Sequence, residues 1–164
     1  MLSFASLLLA SLLSLAVPSM AAADATTDNA EARVYFEEGN RLYQEAAAAS
    51  GSRKTALLQR SLEAYVDSLQ IARSRNALFN AAVVLGDLER YDESFNYLSE
   101  YLRLDELSAE DRAEAEQRRD ALRAKVAVLA LRTEPAGARV WIDRKDLAPR
   151  GVTPLEVALP PGEH

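Results

Sequence analysis

Between Asn29 and Ala124 apolar residues return at three- and four-residue steps, and one group of them returns again further along the chain. Ser61, Tyr65, Ser68 and Leu69 are echoed 33 positions later by Ser94, Leu98, Tyr101 and Leu102. A helix with this spacing carries an apolar stripe that must be covered. A period in the low thirties matches one helical hairpin that buries its stripe against the next. Ser and Ala at the crossings let two helices approach, while Tyr and Leu fill the space between them. The pattern restricts the region to antiparallel helical hairpins and the chain to a mainly α class.

Five helices are predicted. The first spans Asn29 to Ala49, with Val34, Tyr35, Leu42 and Ala46 near helical spacing, and Ser50-Gly51-Ser52 ends it. The second runs from Thr55 to Ala72 through Leu58, Leu62, Tyr65 and Leu69, and Arg73-Ser74-Arg75-Asn76 is the next break. Ala77–Leu85 and Asp92–Leu104 form another pair, joined around Gly86 to Tyr91. A fifth starts at Ser108 and runs to about Ala124. The Ser108 hydroxyl is placed to cap free N–H groups, with Asp111 reciprocating three residues on. Tyr35, Tyr65, Phe79, Tyr91, Phe95 and Tyr101 are expected in the packing, since the hairpins form only if those faces are covered.

The pattern changes at Lys125. Val126 to Leu131 reads as a first strand, Arg139 to Asp143 as a second and Leu155 to Leu159 as a third. Pro135-Ala136-Gly137-Ala138, Gly151-Val152-Thr153-Pro154 and Pro160-Pro161-Gly162 are the turns between and after them. Glycine supplies backbone angles that other residues resist, and proline fixes φ near strand ends. The second strand would put Val140 and Ile142 on one face and Trp141 on the other. No Gly/Pro-rich linker separates this unit from the fifth helix, yet its packing on the helices is expected to be weak.

Residues 75–108 resemble one tetratricopeptide repeat. Leu78, Ala81, Ala82 and Leu85 occupy its first-helix core positions, Tyr91 the turn, and Ser94, Leu98 and Tyr101 the second-helix packing positions. Glu106 stands where that repeat usually has proline. Residues 32–74 are similar to a preceding repeat, with Tyr35, Gly39 and Leu42 in its first helix and Ser61, Tyr65 and Ser68 in its second. About ten extra residues, centred on Ala46 to Lys54, lie between those helices. The resemblance implies a peptide- or protein-binding scaffold whose first helices line a shallow concave face. Arg41, Asn76 and Asn80 are the polar candidates on it, and the fifth helix is expected to act as a terminal cap.

Residues 125–164 resemble the first part of a PEGA domain, a small β-sandwich-like module. Pro-x-Gly-Ala holds at Pro135 to Ala138, although Ala136 replaces the glutamate of the name. The match continues through Val140, Ile142, Asp143, Gly151, Thr153, Pro154, Pro161 and Gly162. That module continues into further strands, so the resemblance implies a β unit that is incomplete or is finished by a partner strand. It also implies a surface or envelope role without catalysis.

Leu2 to Val17 carries no charge and is followed by Pro18, Ser19 and small residues up to Ala23. This is the layout of a secretory signal over residues 1–23, cleaved after Ala21 or Ala23. The run of 16 residues is short of the roughly 20 a membrane helix needs. Export to the periplasm, without stable membrane insertion after cleavage, is the expected outcome. The chain has no Cys, so neither a lipid-modified cysteine nor a disulfide framework is available to it.

Residues 24–121 hold 20 acids and 12 bases, whereas residues 122–164 hold 5 acids and 7 bases. An acidic helical region argues against nucleic acid as a partner. The single His, His164, ends the chain, and adjacent acid pairs such as Glu37-Glu38 diverge on a helix rather than share one water. Asp143, Asp146 and Glu156 lack the dense alternation of calcium ligands. No cofactor, metal or catalytic set is expected. The partner is expected to be a protein or peptide; the leading alternative is a structural or spacer role through the β unit, and a third is an envelope polymer bound through Trp141, an exposed aromatic candidate.

Overall fold

The computed structural model describes residues 29–142, 149–160 and 162–163. The segment expected to direct export, together with Asp143, Asp146, Pro161 and His164, lies outside the described residues. Five helices lead the chain: α1 (Ala30–Ala47), α2 (Gly51–Ile71), α3 (Arg75–Asp87), α4 (Tyr91–Tyr101) and α5 (Ala109–Leu122). Four short strands follow: β1 (Ala127–Leu131), β2 (Arg139–Val140), β3 (Gly151–Val152) and β4 (Leu155–Leu159). The class is mainly α with two small antiparallel sheets, β1–β4 and β2–β3. Among the described residues no helix is long and apolar enough to cross a membrane.

The helix ends follow local chemistry. The Asn29 side chain accepts from the N–H groups of Glu31 and Ala32 at 3.0 and 3.3 Å. Ser74 caps α3 and Ser108 caps α5, the latter accepting from Asp111 N at 3.0 Å. Such caps satisfy N–H groups that have no partner within the helix. The expected break at Ser50-Gly51-Ser52 is shorter than its composition suggests: α1 ends at Ala47, two residues before the expected Ala49, and α2 begins at Gly51 rather than Thr55. Alanine is the strongest helix former, so α1 runs on to Ala47, and Gly51, at φ 56°, turns the chain into α2.

Hydroxyl groups fasten the helix crossings. Ser61 of α2 donates to the Gly39 carbonyl of α1 at 2.8 Å, and Ser68 donates to the Ala32 carbonyl at 2.8 Å. Ser94 of α4 donates to the Ala82 carbonyl of α3 at 2.7 Å. All three serines are buried. Rising residue numbers in α2 meet falling ones in α1, which makes the pair antiparallel. Around these bonds sits one core containing Phe36, Leu42, Leu62, Tyr65, Leu78, Leu85, Phe95, Leu98 and Tyr101. Leu58, Leu69 and Ala82 are buried with them.

Tyr35 requires a correction, because it lies on the exposed side of α1 and Phe36 is the core aromatic there. Val34 is also exposed, at 64%. Their counterparts in α3, Ala77 and Leu78, are buried because α2 covers that side of the second hairpin. Among the described residues no helix precedes α1 to do the same. Tyr91 and Phe79 are half-buried, packed at the edge of the core.

The β unit also departs from expectation, since β4 packs closely on the helices. Leu155, Val157 and Ala158 are buried, and Ala158 joins the helical core. The Asn96 side chain of α4 bonds Ala158 twice, donating to its carbonyl and accepting from its N–H, both at 2.8 Å. Arg123 pairs with Glu156 at 2.6 Å. An amide that meets both polar groups of one strand residue lets a sheet edge rest on a helix without leaving those groups unsatisfied.

Strand order follows from this anchor. β1 pairs with β4 rather than with β2, Ala127 opposite Leu159 and Leu131 opposite Leu155. The expected second strand is shorter, and Gly151–Val152, expected as a turn, pairs with it. Thr153 ties the turns together, its buried hydroxyl accepting from Ala138 N at 3.1 Å and its carbonyl accepting from Gly137 N at 2.8 Å. Gly137 has φ 91°, where a side chain is strained. Pro135, Pro154 and Gly162 are exposed.

The Tyr65 ring presses on the α1 backbone so closely that a Cβ on Gly39 would lie 2.7 Å from it. The corresponding pair in the second hairpin is Ala82 with Leu98, a larger residue facing a smaller one. Gly39→Ala is therefore expected to destabilise by about 1–3 kcal/mol through overpacking, despite alanine's helix preference of roughly 1 kcal/mol. In a Tyr65→Leu background the same change is expected to turn neutral or stabilising. Denaturant unfolding of the four proteins of this cycle measures the coupling, and a stabilising Gly39→Ala in the parent chain would contradict the contact.

Candidate functional site

The first helices of the hairpins meet through polar side chains. The Tyr65 hydroxyl, brought to the surface of the core by its buried ring, donates to Asn40 Oδ1 at 2.6 Å. Asn80 Nδ2 of α3 donates to the same Asn40 oxygen at 3.1 Å and to the Tyr65 oxygen at 3.4 Å. One turn along α1, the Tyr43 hydroxyl donates to Asp87 Oδ2 of α3 at 2.9 Å. On the α5 side, the Arg118 guanidinium lies 5.5 Å from the centre of the Phe79 ring and bonds Glu114 at 2.8 Å. Asn40, Tyr43, Phe79, Asn80 and Arg118 thus define a half-exposed face shared by α1, α3 and α5.

This face retains unused hydrogen-bonding capacity. A side-chain amide has two donor hydrogens and an acceptor oxygen. Asn80 spends its nitrogen on Asn40 and Tyr65, while Asn80 Oδ1 and Asn40 Nδ2 take no bond among the described residues. An acceptor and a donor side by side are the complement of one peptide group. Burial pushes the tyrosines up: Tyr65 is raised well above its ordinary value of 10.0, chiefly by loss of water. Tyr43 is pushed up to about 12, by burial first and by the Asp87 charge second. Both hydroxyls stay protonated donors across the physiological range.

The expected site residues divide. Asn80 is in the network, and Asn76 lies one turn earlier on α3, half-buried, on the same side. Arg41 is directed elsewhere, into ion pairs with Glu38 at 2.6 Å and with Glu45, while Glu38 also faces Arg60 of α2 at 3.9 Å. Its guanidinium holds the Glu38 carboxyl below the ordinary value. Trp141 is half-buried rather than exposed, with the Arg139 guanidinium 5.5 Å from its ring centre. Asn40 and Tyr43 were missed by sequence reasoning. Their signal was available, because both lie on the α1 face one residue removed from the core positions Gly39 and Leu42.

No protein-family model, no curated protein sequence and no solved structure matches the chain.

Raising the folded pKa of Tyr43 from 10.0 to about 12 has a defined sign. Below pH 10 both folded and unfolded chains hold the proton, so the contribution to stability is constant. Between pH 10 and 12 the unfolded chain ionises first and stability is lost. Asp87→Asn removes the charge that adds to burial, so Tyr43 is expected to ionise earlier in that variant, though still above 10. Ultraviolet titration of the tyrosines, with Tyr43→Phe to assign the Tyr43 step, tests this order.

Proposed function

We propose that the chain is a non-enzymatic scaffold of the bacterial envelope that holds a protein or peptide segment on the face of α1, α3 and α5. In this reading α1–α2 and α3–α4 are two tetratricopeptide-type hairpins, α5 is their cap, and residues 125–164 are a PEGA-type unit. The carrying observation is the Asn40–Tyr65–Asn80 network, with its unspent donor and acceptor among the described residues. An extended segment laid there would have its peptide group met by the two amides and an apolar side chain met by Phe79. Helical scaffolds bind in this way when rigid helices preset the polar groups.

A second reading, assembly by strand addition, draws on β1. Its one strand neighbour among the described residues is β4, its residues are all apolar, and Leu129 is 40% exposed. An edge of this kind accepts another strand. Nothing comparable favours polymer binding through Trp141, a single half-buried ring.

Capture from envelope extract by the mature chain is expected to yield a partner that Asn40→Ala with Asn80→Ala weakens about tenfold, as loss of one or two buried hydrogen bonds would. Leu129→Lys is expected to leave that partner in place. Loss with Leu129→Lys and retention with the asparagine pair changed would transfer the function to the β1 edge.

Export is part of the same proposal. The mature protein is expected to begin at Ala22 or Asp24, and mass measurement of its N-terminus decides the matter. Recovery of intact Met1 from the cytosol would refute export.

A further inference from the structure

A second site lies where the β unit meets α4. Glu100 and Arg103 of α4, Arg73 of the link after α2, and the segment from Pro149 to Pro154 surround an open cleft of about 630 Å³. It adjoins a narrower recess of about 150 Å³ that reaches Ser99 and shares Glu100, Arg103 and Arg150 with it. Three guanidinium groups therefore line this cleft against the carboxylate of Glu100, and the recess adds Glu156, which is paired with Arg123. Glu100 is already paired with Arg73. Arg103 and Arg150 have no carboxylate partner among the described residues. This local excess of positive charge belongs to a chain of net charge −6.

Two further observations point to a ligand. The Ser99 hydroxyl in the recess is buried and has no hydrogen-bond partner among the described residues, which is uncommon for a polar group in a folded chain. Beside the arginines, Val152 is 53% exposed and Pro154 is exposed, an apolar shelf held in place by the bonds of Thr153. Guanidinium groups match the paired oxygens of carboxylates and phosphates, and a concave site focuses their field on an entering anion. We infer that the cleft between α4 and the β3–β4 segment binds a small organic anion. Its carboxylate or phosphate oxygens would be held by Arg103 and Arg150, with Ser99 as an additional hydrogen-bond group and its carbon skeleton on Val152 and Pro154. The site uses different residues from the helical face and does not depend on the function assigned to that face.

Succinate and inorganic phosphate are the two probes, added separately to the isotope-labelled mature chain, with sodium chloride at equal ionic strength as the control. Saturable shifts are expected at the backbone amides of residues 99–103 and 150–153. Saturation by succinate alone assigns a carboxylate ligand and saturation by phosphate alone a phosphate ligand; saturation by both assigns the shared oxyanion chemistry. Arg103→Gln with Arg150→Gln is expected to weaken binding by about tenfold or more while leaving the amide spectrum of α1–α3 in place. Shifts no different from those in chloride, or affinity unchanged in the double variant, overturn the inference.

Discussion

Tyr65 is the side chain on which both the core and the candidate face depend. Its ring is fully buried between Phe36, 5.8 Å away centre to centre, and the bare backbone of Gly39. Its hydroxyl emerges where Asn40 of α1 and Asn80 of α3 both reach its oxygen. A leucine there, as at the corresponding Leu98, would fill space but offer no polar atom. A tyrosine without Gly39 would not fit. Close helix approach and polar-face geometry are thus one constraint, and disturbance of the packing is transmitted to Asn40 and Asn80.

Much of the helical region was legible in the sequence because its determinants are local or repeated. Ser61 and Ser94 stand 33 residues apart and make equivalent bonds to the preceding helix. Asn29 and Ser108 announce the helix starts they cap. Misreadings arose where burial depends on what lies beside a helix rather than within it. Tyr35 has the spacing of a core residue, but spacing cannot tell whether a neighbour exists, and the equivalent Leu78 is buried by α2. Ser50-Gly51-Ser52 has the composition of a break, but the break is confined to the few residues before α2, which begins at Gly51 itself.

Non-local pairing explains what the β unit concealed. Its turn residues were readable, since Gly137 and Thr153 carry the backbone and hydroxyl chemistry of turns. The pairing of β1 with β4, and the bonding of Asn96 to a strand residue 62 positions away, left no periodic trace. Asparagine in mid-helix is a modest signal by itself, because it is a poor helix former whose side chain competes for backbone bonds. Here that tendency is redirected to another element, where it satisfies Ala158. The candidate face was half legible for the same reason: Asn80 could be placed on a helix surface, but its union with Asn40 required the crossing of two hairpins.

Charge distribution gives the two surfaces different chemistries. On the face of α1, α3 and α5 Arg118 is paired with Glu114, the Asp87 carboxylate accepts a hydrogen bond from Tyr43, and the amides of Asn40 and Asn80 are neutral. At the seam with the β unit, Glu100 compensates Arg73 alone, and Arg103 and Arg150 remain uncompensated by carboxylates among the described residues. An amide pair selects a backbone by geometry and is little affected by salt, whereas paired guanidinium groups on an open cleft select an anion and weaken as ionic strength rises. Since Asn96 fixes β4 to α4 from within the recess that Arg103 and Arg150 also line, the seam that anchors the β unit also sets the spacing of the two arginines.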